Sequence, residues 1–391
     1  MARGRPKKEQ KKKYEWFYSD YIADFENSDC EIIIDGYKIL LPKPPADHLC
    51  LNYGKPIEEQ KMPNLRIPKE LFEWDAEEIE AYADNYYHKR KNGFWIFIKG
   101  QKLYITGLNF WHLSAWVMKN RKAPEYKYTD SKWFLCWMQC VRTPNCFGLV
   151  TIAARRDGKN ERTLSMIAEY ATRVSSVWCG MQSITERHVF DNSFSRITFC
   201  INLLHPLVKP INKGNTEGST IIEFSYPVKQ VSTKQLQDKQ KKGELATMTT
   251  EEDYFYPALG SKIDYAPSRP SSYDGGRLER YLRDEFGKDE EANPYNTWMD
   301  HVREAMIDKT YGTIIGKAHF QTTTEEMGKI AQSMMWAKQI WDESDQGKPI
   351  NEAGDTITGM HRIFRSAADT AQIDEWGFPL KEEKIREIVE R

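Results

Sequence analysis

The chain has 391 residues, enough for one large domain or two ordinary ones, and its 40% hydrophobic and 29% charged residues are those of a globular protein with a real core. A formal net charge of −1 is silent on nucleic acid, because a local basic channel can sit on a neutral body. No apolar run is long enough to cross a membrane, and the N-terminus is basic rather than signal-like, so a membrane location is not expected.

Residues 1–13 are basic and poor in apolar side chains, which predicts a tail that is disordered when free. Its Gly4-Arg5-Pro6 core resembles an AT-hook, an arm for the minor groove; a solvated tail is the alternative. Residues 14–92 read as an N-terminal lead-in. Six Pro residues between Pro42 and Pro68 make it mostly extended connector. Residues 75–92 read as a charged helix, with Asp75 as N-cap, Glu77 and Glu78 in its first turn, and His88, Lys89 and Arg90 near its end.

Residues 93–141 are rich in aromatics, among them Phe94, Trp95, Tyr104, Trp111, Trp133 and Trp137, which read mostly as core. A strand and turn are predicted over 93–100, and helices over 108–119 and 130–142. Cys136, Cys140 and Cys146 lie here in apolar surroundings. The seven Cys of the chain are odd in number and lack further ligands at metal spacing, so they read as core thiols in a reducing cytoplasm.

From residue 146 onward strands alternate with helices. Strands are predicted at Phe147–Ala153, Val177–Gln182, Thr220–Ser225, Lys262–Tyr265, Leu278–Leu282 and Gly312–Ala318. Helices are predicted at Glu161–Arg173, Glu186–Leu204 and Thr324–Trp341. This alternation predicts an α/β fold, a mostly parallel sheet flanked by helices. Residues 228–253 are polar and lysine-rich and read as an exposed insertion. Residues 343–358 read as a polar loop.

Three segments carry chemistry. Ala153-Ala154-Arg155-Arg156-Asp157-Gly158-Lys159-Asn160 follows an apolar strand and precedes a helix, where a phosphate-binding loop lies. Lys159 can reach the β- and γ-phosphates, and Gly158 allows close backbone approach. The usual motif has Gly where Ala153 stands and Ser or Thr where Asn160 stands. Asp284 and Glu285 follow a strand. Such a pair can hold Mg²⁺ and polarise a water, or it can be a solvated strand end. Thr322, Thr323 and Thr324 follow the next strand, placed to sense a γ-phosphate or to cap a helix.

In order, Arg-Arg-x-Gly-Lys, Trp-Cys-Gly-Met-Gln-Ser, Tyr-Asp-Gly-Gly-Arg with Arg-Asp-Glu-Phe-Gly-Lys, and Ile-Ile-Gly-Lys-Ala with Thr-Thr-Thr-Glu-Glu-Met resemble the ATPase domain of phage terminase large subunits over roughly residues 95–380. The resemblance implies a RecA/ASCE-like P-loop NTPase domain, here 93–345, that hydrolyses ATP with Mg²⁺ and pumps double-stranded viral DNA into a procapsid. It implies catalytic roles for Lys159, Glu285 and Arg155, and ATP binding by residues 155–160, Arg156 and Asp157 included. It further implies a metal held by Asp284 and Asn160, and coupling by Thr322, Thr323 and Thr324. Asn160 departs from the family's Ser or Thr. Implied partners are the portal protein, the small terminase subunit and further copies in a homo-oligomeric ring, in the host cytoplasm. Residues 346–391 then read as a linker region before an RNase H-like nuclease domain for which no room remains, so DNA cleavage is not expected. The competing reading is a non-hydrolysing DNA-binding or scaffold protein on a degenerate P-loop fold. A helicase is a further alternative.

Overall fold

The computed structural model describes residues 23–155, 157–212, 220–225, 258–290, 292–323, 332–366 and 372–380. The basic tail at 1–13, the insertion at 228–253, Arg156 and Thr324 lie outside the described residues.

The lead-in opens with an antiparallel hairpin, β1 (Glu31–Ile34) and β2 (Tyr37–Leu40). Its proline-rich part is more than connector: Leu51, Leu65, Ile67 and Leu71 are buried in the same core as the helices that follow. Helix α1 (Ala76–Asn92) starts where expected, with the Asp75 side chain accepting from the Glu78 amide at 2.9 Å. Gly93 ends it. A second hairpin, β3 (Phe94–Ile98) and β4 (Gln101–Ile105), is followed by α2 (Gly107–Ser114) and α3 (Tyr128–Arg142). Trp111, Trp116 and Trp133 are fully buried there, each contributing about 3 kcal/mol of apolar burial. Tyr104 and Trp111 therefore belong to the core.

The central sheet begins with β5 (Gly148–Ala153), whose loop leads into α4 (Lys159–Arg173). β6 (Trp178–Gln182) precedes a helical stretch made of Glu186–Val189, a π-turn at Phe190–Phe194 and α5 (Ser195–Leu203). Next come β7 (Ile221–Glu223), β8 (Lys262–Ala266) and β9 (Arg280–Asp284). The strand predicted at Leu278–Leu282 thus starts two residues later. The strand predicted at Gly312–Ala318 is replaced by a short hairpin, β10 (Ile307–Asp308) with β11 (Thr313–Ile314), and by a true strand, β12 (Lys317–Thr323). Gly316 separates them: a Cβ there would meet the Leu278 carbonyl at 2.2 Å. Helix α6 (Gln332–Ser344) follows. β13 (Met360–Arg365) closes the sheet from within the stretch read as linker.

The strand order is β13-β5-β12-β9-β6-β8-β7, parallel throughout except for the antiparallel edge strand β7. β12 is inserted between β5 and β9. Side chains alternate across the sheet. Leu149 and Leu282 join the larger core with α2–α5 and the lead-in; Val150 and Tyr281 join the smaller one with Trp298, Ala337 and Ile340. β9 is too polar for a buried parallel strand by composition, yet all five of its residues are buried. Arg283 is neutralised by Asp289, and Arg280 stacks 3.5 Å over the Tyr170 ring. Among the described residues no helix is long and apolar enough to cross a membrane.

Candidate active site

Parallel strands end at one edge, so the register decides which residues meet there. Thr323 pairs with Ala153 and Gln321 with Asp284. The β5–α4 loop, the acidic pair and the threonines are thereby brought to one place, although they lie far apart in sequence.

The loop is shaped by its last residue. Gly158 has φ +85°, a left-handed conformation that a side chain would strain, and it lets the chain turn into α4 at Lys159. The first amides of α4 and the positive end of its dipole point toward the loop. The Asp157 side chain is buried rather than open to the loop. Its carboxylate accepts from Arg162 Nη2 and from Arg365 Nη2 at 3.1 Å, and Arg162 and Arg365 also bind Asp130 at 2.6 and 3.2 Å. Two arginines and two aspartates thus form a neutral, buried cluster beneath the loop. Burial pushes the Asp157 carboxyl up, but Arg162 and Arg365 outweigh it and leave it below the usual range.

Across the sheet edge, Lys159 Nζ lies 2.7 Å from Glu285 Oε1. Glu285 Oε2 is 3.0 Å from Lys288 Nζ, and the Thr323 and Thr322 hydroxyls lie 3.2 and 3.5 Å from the same oxygen. Glu285 adopts φ 51°, ψ 39° directly after β9, a left-handed backbone costing about 1–2 kcal/mol in a non-glycine residue. Such strain persists only where surrounding contacts fix it, and it clusters at functional sites. Gly287 allows the turn: a Cβ there would come within 2.9 Å of Thr322 Oγ1.

Burial raises the Glu285 carboxyl, but Lys159 and Lys288 pull it down to about 2. A depressed carboxyl contributes stability above its unfolded value near 4.3, lost as pH falls through the folded value. We therefore expect Glu285→Gln to remove on the order of 3 kcal/mol of stability at neutral pH and to flatten the acid limb between about pH 4.5 and 2. Urea titrations across that window check this; parallel pH profiles for variant and wild type would refute it.

Asp284 has the opposite environment. Burial and the neighbouring Glu285 raise its carboxyl. Gln321 Nε2 donates to Asp284 Oδ1 at 2.7 Å and to Asn160 Oδ1 at 2.8 Å. Asp284 Oδ2 is buried with no hydrogen-bond partner among the described residues. Thr163 Oγ1 donates to Gln321 Oε1 at 2.8 Å and stands 3.0 Å from His319 Nδ1. Burial, then Arg162 and Lys159, lower His319 to about 3, so its imidazole is neutral.

Of the residues singled out in sequence, Lys159, Asn160, Asp284, Glu285, Thr322 and Thr323 meet here. Asp157 faces the buried cluster and Arg155 is exposed on the loop. Gln321, Lys288, Asp130, Arg162 and Arg365 were not anticipated. Gln321 stood directly before the threonines, and Arg162 lies one helical turn after Lys159. The arrangement offers a cation at a helix N-terminus, a carboxylate in contact with it, and a second carboxylate with a vacant oxygen. Those are the groups needed to bind a polyphosphate, hold a divalent cation and orient a water.

Scanned against protein-family models and against curated proteins, the sequence matches none. Among solved structures it is similar to the large terminase ATPase domain of Thermus phage P74-26, with 12% identity, TM-score 0.37, and coverage of 63% of this chain and 82% of that one. It is also similar to the large terminase of bacteriophage HK97, with 9% identity, TM-score 0.41, and coverage of 72% and 50%. A third is the large terminase of a thermophilic bacteriophage in complex with ATP-gamma-S, with 8% identity, TM-score 0.38, and coverage of 68% and 49%. The chain thus spans about half the length of the latter two proteins.

Proposed function

We propose that this chain is the ATP-hydrolysing motor part of a phage DNA-packaging terminase large subunit. One observation carries the reading: Lys159, the first residue of α4 after a left-handed Gly158, contacts Glu285 at the end of β9 across the inserted strand β12. The ordered set of sequence motifs supports it independently.

Lys159 binds the β- and γ-phosphates, together with the first amides of α4. Phosphate entry competes with Glu285 for the lysine. Binding therefore releases a carboxylate that is fully ionised at neutral pH, and Glu285 turns to accept a proton from the attacking water. Thr322 and Thr323, which touch Glu285, feel that movement and pass it along β12. The orphaned Asp284 Oδ2 fits a cation, with Asn160 as its neighbour through Gln321. Mg²⁺ held there would neutralise phosphate charge. Arg155, exposed on the loop, would contact phosphate in its own or an adjacent site, and Arg156 and Thr324 complete the assigned set. Assembled as a ring at the portal with the small subunit, in the host cytoplasm, the motor grips duplex DNA by its phosphates without reading sequence.

The experiment is ATP hydrolysis by the purified chain with and without duplex DNA. DNA-stimulated turnover is expected. Nucleotide binding without turnover in either condition would replace this reading by a non-hydrolysing DNA-binding or scaffold protein.

Asn160→Ser tests the departure from the usual motif. The hydroxyl is expected to hold Mg²⁺ as well as the amide or better. The shorter side chain leaves one N–H of buried Gln321 unpaired, lowering stability of the nucleotide-free protein by about 1–3 kcal/mol. Magnesium-dependent nucleotide binding and urea unfolding report the two effects separately. Loss of nucleotide binding in a folded variant would give Asn160 a different role.

A further inference from the structure

At the edge of the sheet opposite the active site, where β9 begins and α1, α3 and α4 end, lies a cavity of about 190 Å³. Helix α4 spans the two places, from Lys159 to Arg173, which puts them roughly 20 Å apart. The cavity is lined by Arg90, Lys91, Arg142, Arg173 and Arg280, against the single carboxylate of Glu169.

That carboxylate is already shared. Arg90 Nε lies 3.1 Å from it, and Arg173 holds it through Nε and, at 3.2 Å, through Nη2. Arg142 stacks 3.5 Å over the Phe25 ring, and neither it nor Lys91 has a carboxylate partner among the described residues. The carbonyl ends of three helices favour cations here and account for the four basic residues in their last turns. They do not account for Arg280, which lies on a strand. Arg280 is 6% exposed. It donates to the Glu279 carbonyl at 2.6 Å and lies over Tyr170, but forms no ion pair with a carboxylate among the described residues; Glu169 offsets its charge only in part and is already held by Arg90 and Arg173. A guanidinium carried into a protein interior without an ion-pair partner of its own is costly, and cation–π contact offsets only part of that cost.

We propose that this cavity is an anion site that takes one phosphate group, with Arg280 at its floor and Arg142 and Arg173 at its mouth. Its volume suits a single tetrahedral oxyanion and falls below the roughly 300 Å³ of a nucleotide-sized pocket. Arginine forks match phosphate oxygens in bidentate fashion. Free inorganic phosphate and the phosphodiester of a nucleic-acid backbone share this chemistry.

The test is run in a Lys159→Ala background, so that phosphate at the β5–α4 loop does not contribute. Melting temperature is followed against inorganic phosphate, with chloride at matched ionic strength as control, and against a short single-stranded oligonucleotide. Phosphate is expected to raise the melting temperature beyond chloride. Arg280→Met is expected to weaken the apparent Kd about tenfold or more, as loss of a charge-assisted hydrogen bond does, while raising stability in phosphate-free buffer. A purely structural Arg280 would not move the phosphate-dependent part. If Arg280→Met does not fold, Arg142→Ala, an exposed position, is read the same way with a smaller loss. A response to the oligonucleotide alone that depends on these arginines identifies backbone phosphate as the ligand. No arginine-dependent response to either probe overturns the proposal.

Discussion

Glu285→Gln is expected to bind ATP at least as tightly as the unaltered protein and to hydrolyse it about 10²–10⁴-fold more slowly. The two halves of this result have one origin. Lys159 is held 2.7 Å from Glu285, so each phosphate that reaches the lysine must displace a carboxylate. Removing that charge is expected to ease binding, and it also removes the group proposed to accept the proton from water. Lys159→Ala is expected to do the reverse to affinity, with Kd rising roughly ten- to hundredfold because a charge-assisted phosphate contact is lost. Titration with a fluorescent ATP analogue and steady-state phosphate release measure both. Comparable hydrolysis in Glu285→Gln and the parent chain would remove Glu285 from the mechanism. Unchanged nucleotide affinity in Lys159→Ala would remove the phosphate loop itself.

Arg365→Met is expected to cost about 3–5 kcal/mol of stability, because it leaves Asp130 and Asp157 sharing one buried arginine. The loop would suffer with it, because Asp157 is the residue before Gly158 and its carboxylate is held by the Arg365 guanidinium. An uncompensated carboxylate beneath the loop repels phosphate, so nucleotide affinity should fall together with stability. The double variant Asp157→Asn with Arg365→Met restores neutrality and should recover much of both losses, a coupling that independent sites do not show. Because Asp157 is held below its usual range, the stability of the intact cluster is present above the unfolded carboxylate value near 3.9 and is lost as pH falls through the folded one. Denaturant titrations of the two singles and the double, with nucleotide binding of each, test this. Strictly additive losses would mean that the four side chains do not act as a unit.

Much of the local structure was legible in the sequence. Asp75 capped α1, the apolar run before Ala153 made β5, and Gly158-Lys159 marked where a strand–loop–helix turn would sit. These signals live in neighbours a few positions apart: a cap and its amide, the period of a strand, a glycine at a turn. The acidic pair was legible as a candidate site, but the burial of its strand was not, since Glu279, Arg280 and Arg283 made β9 resemble a solvated strand. Only the fold supplied Tyr170 for Arg280 and Asp289 for Arg283, and so allowed five polar and apolar residues alike to be buried.

What tertiary structure alone decided is which distant segments meet. Placing β12 between β5 and β9 sets Gln321 between Asn160 and Asp284, a link spanning 161 residues on one side and 37 on the other. β13 was hidden in what read as linker, since its Met-His-Arg-Ile-Phe-Arg carries no clean alternation, and it became a strand because β5 offered an open parallel edge. With it came Arg365, 208 residues from the Asp157 it neutralises. Hydrophobic periodicity reports which face of an element is buried; it carries no information on which partner will bury it. Charged residues in an element read as exposed until the counter-charge arrives from elsewhere in the chain, and that pairing exists only once the sheet is assembled.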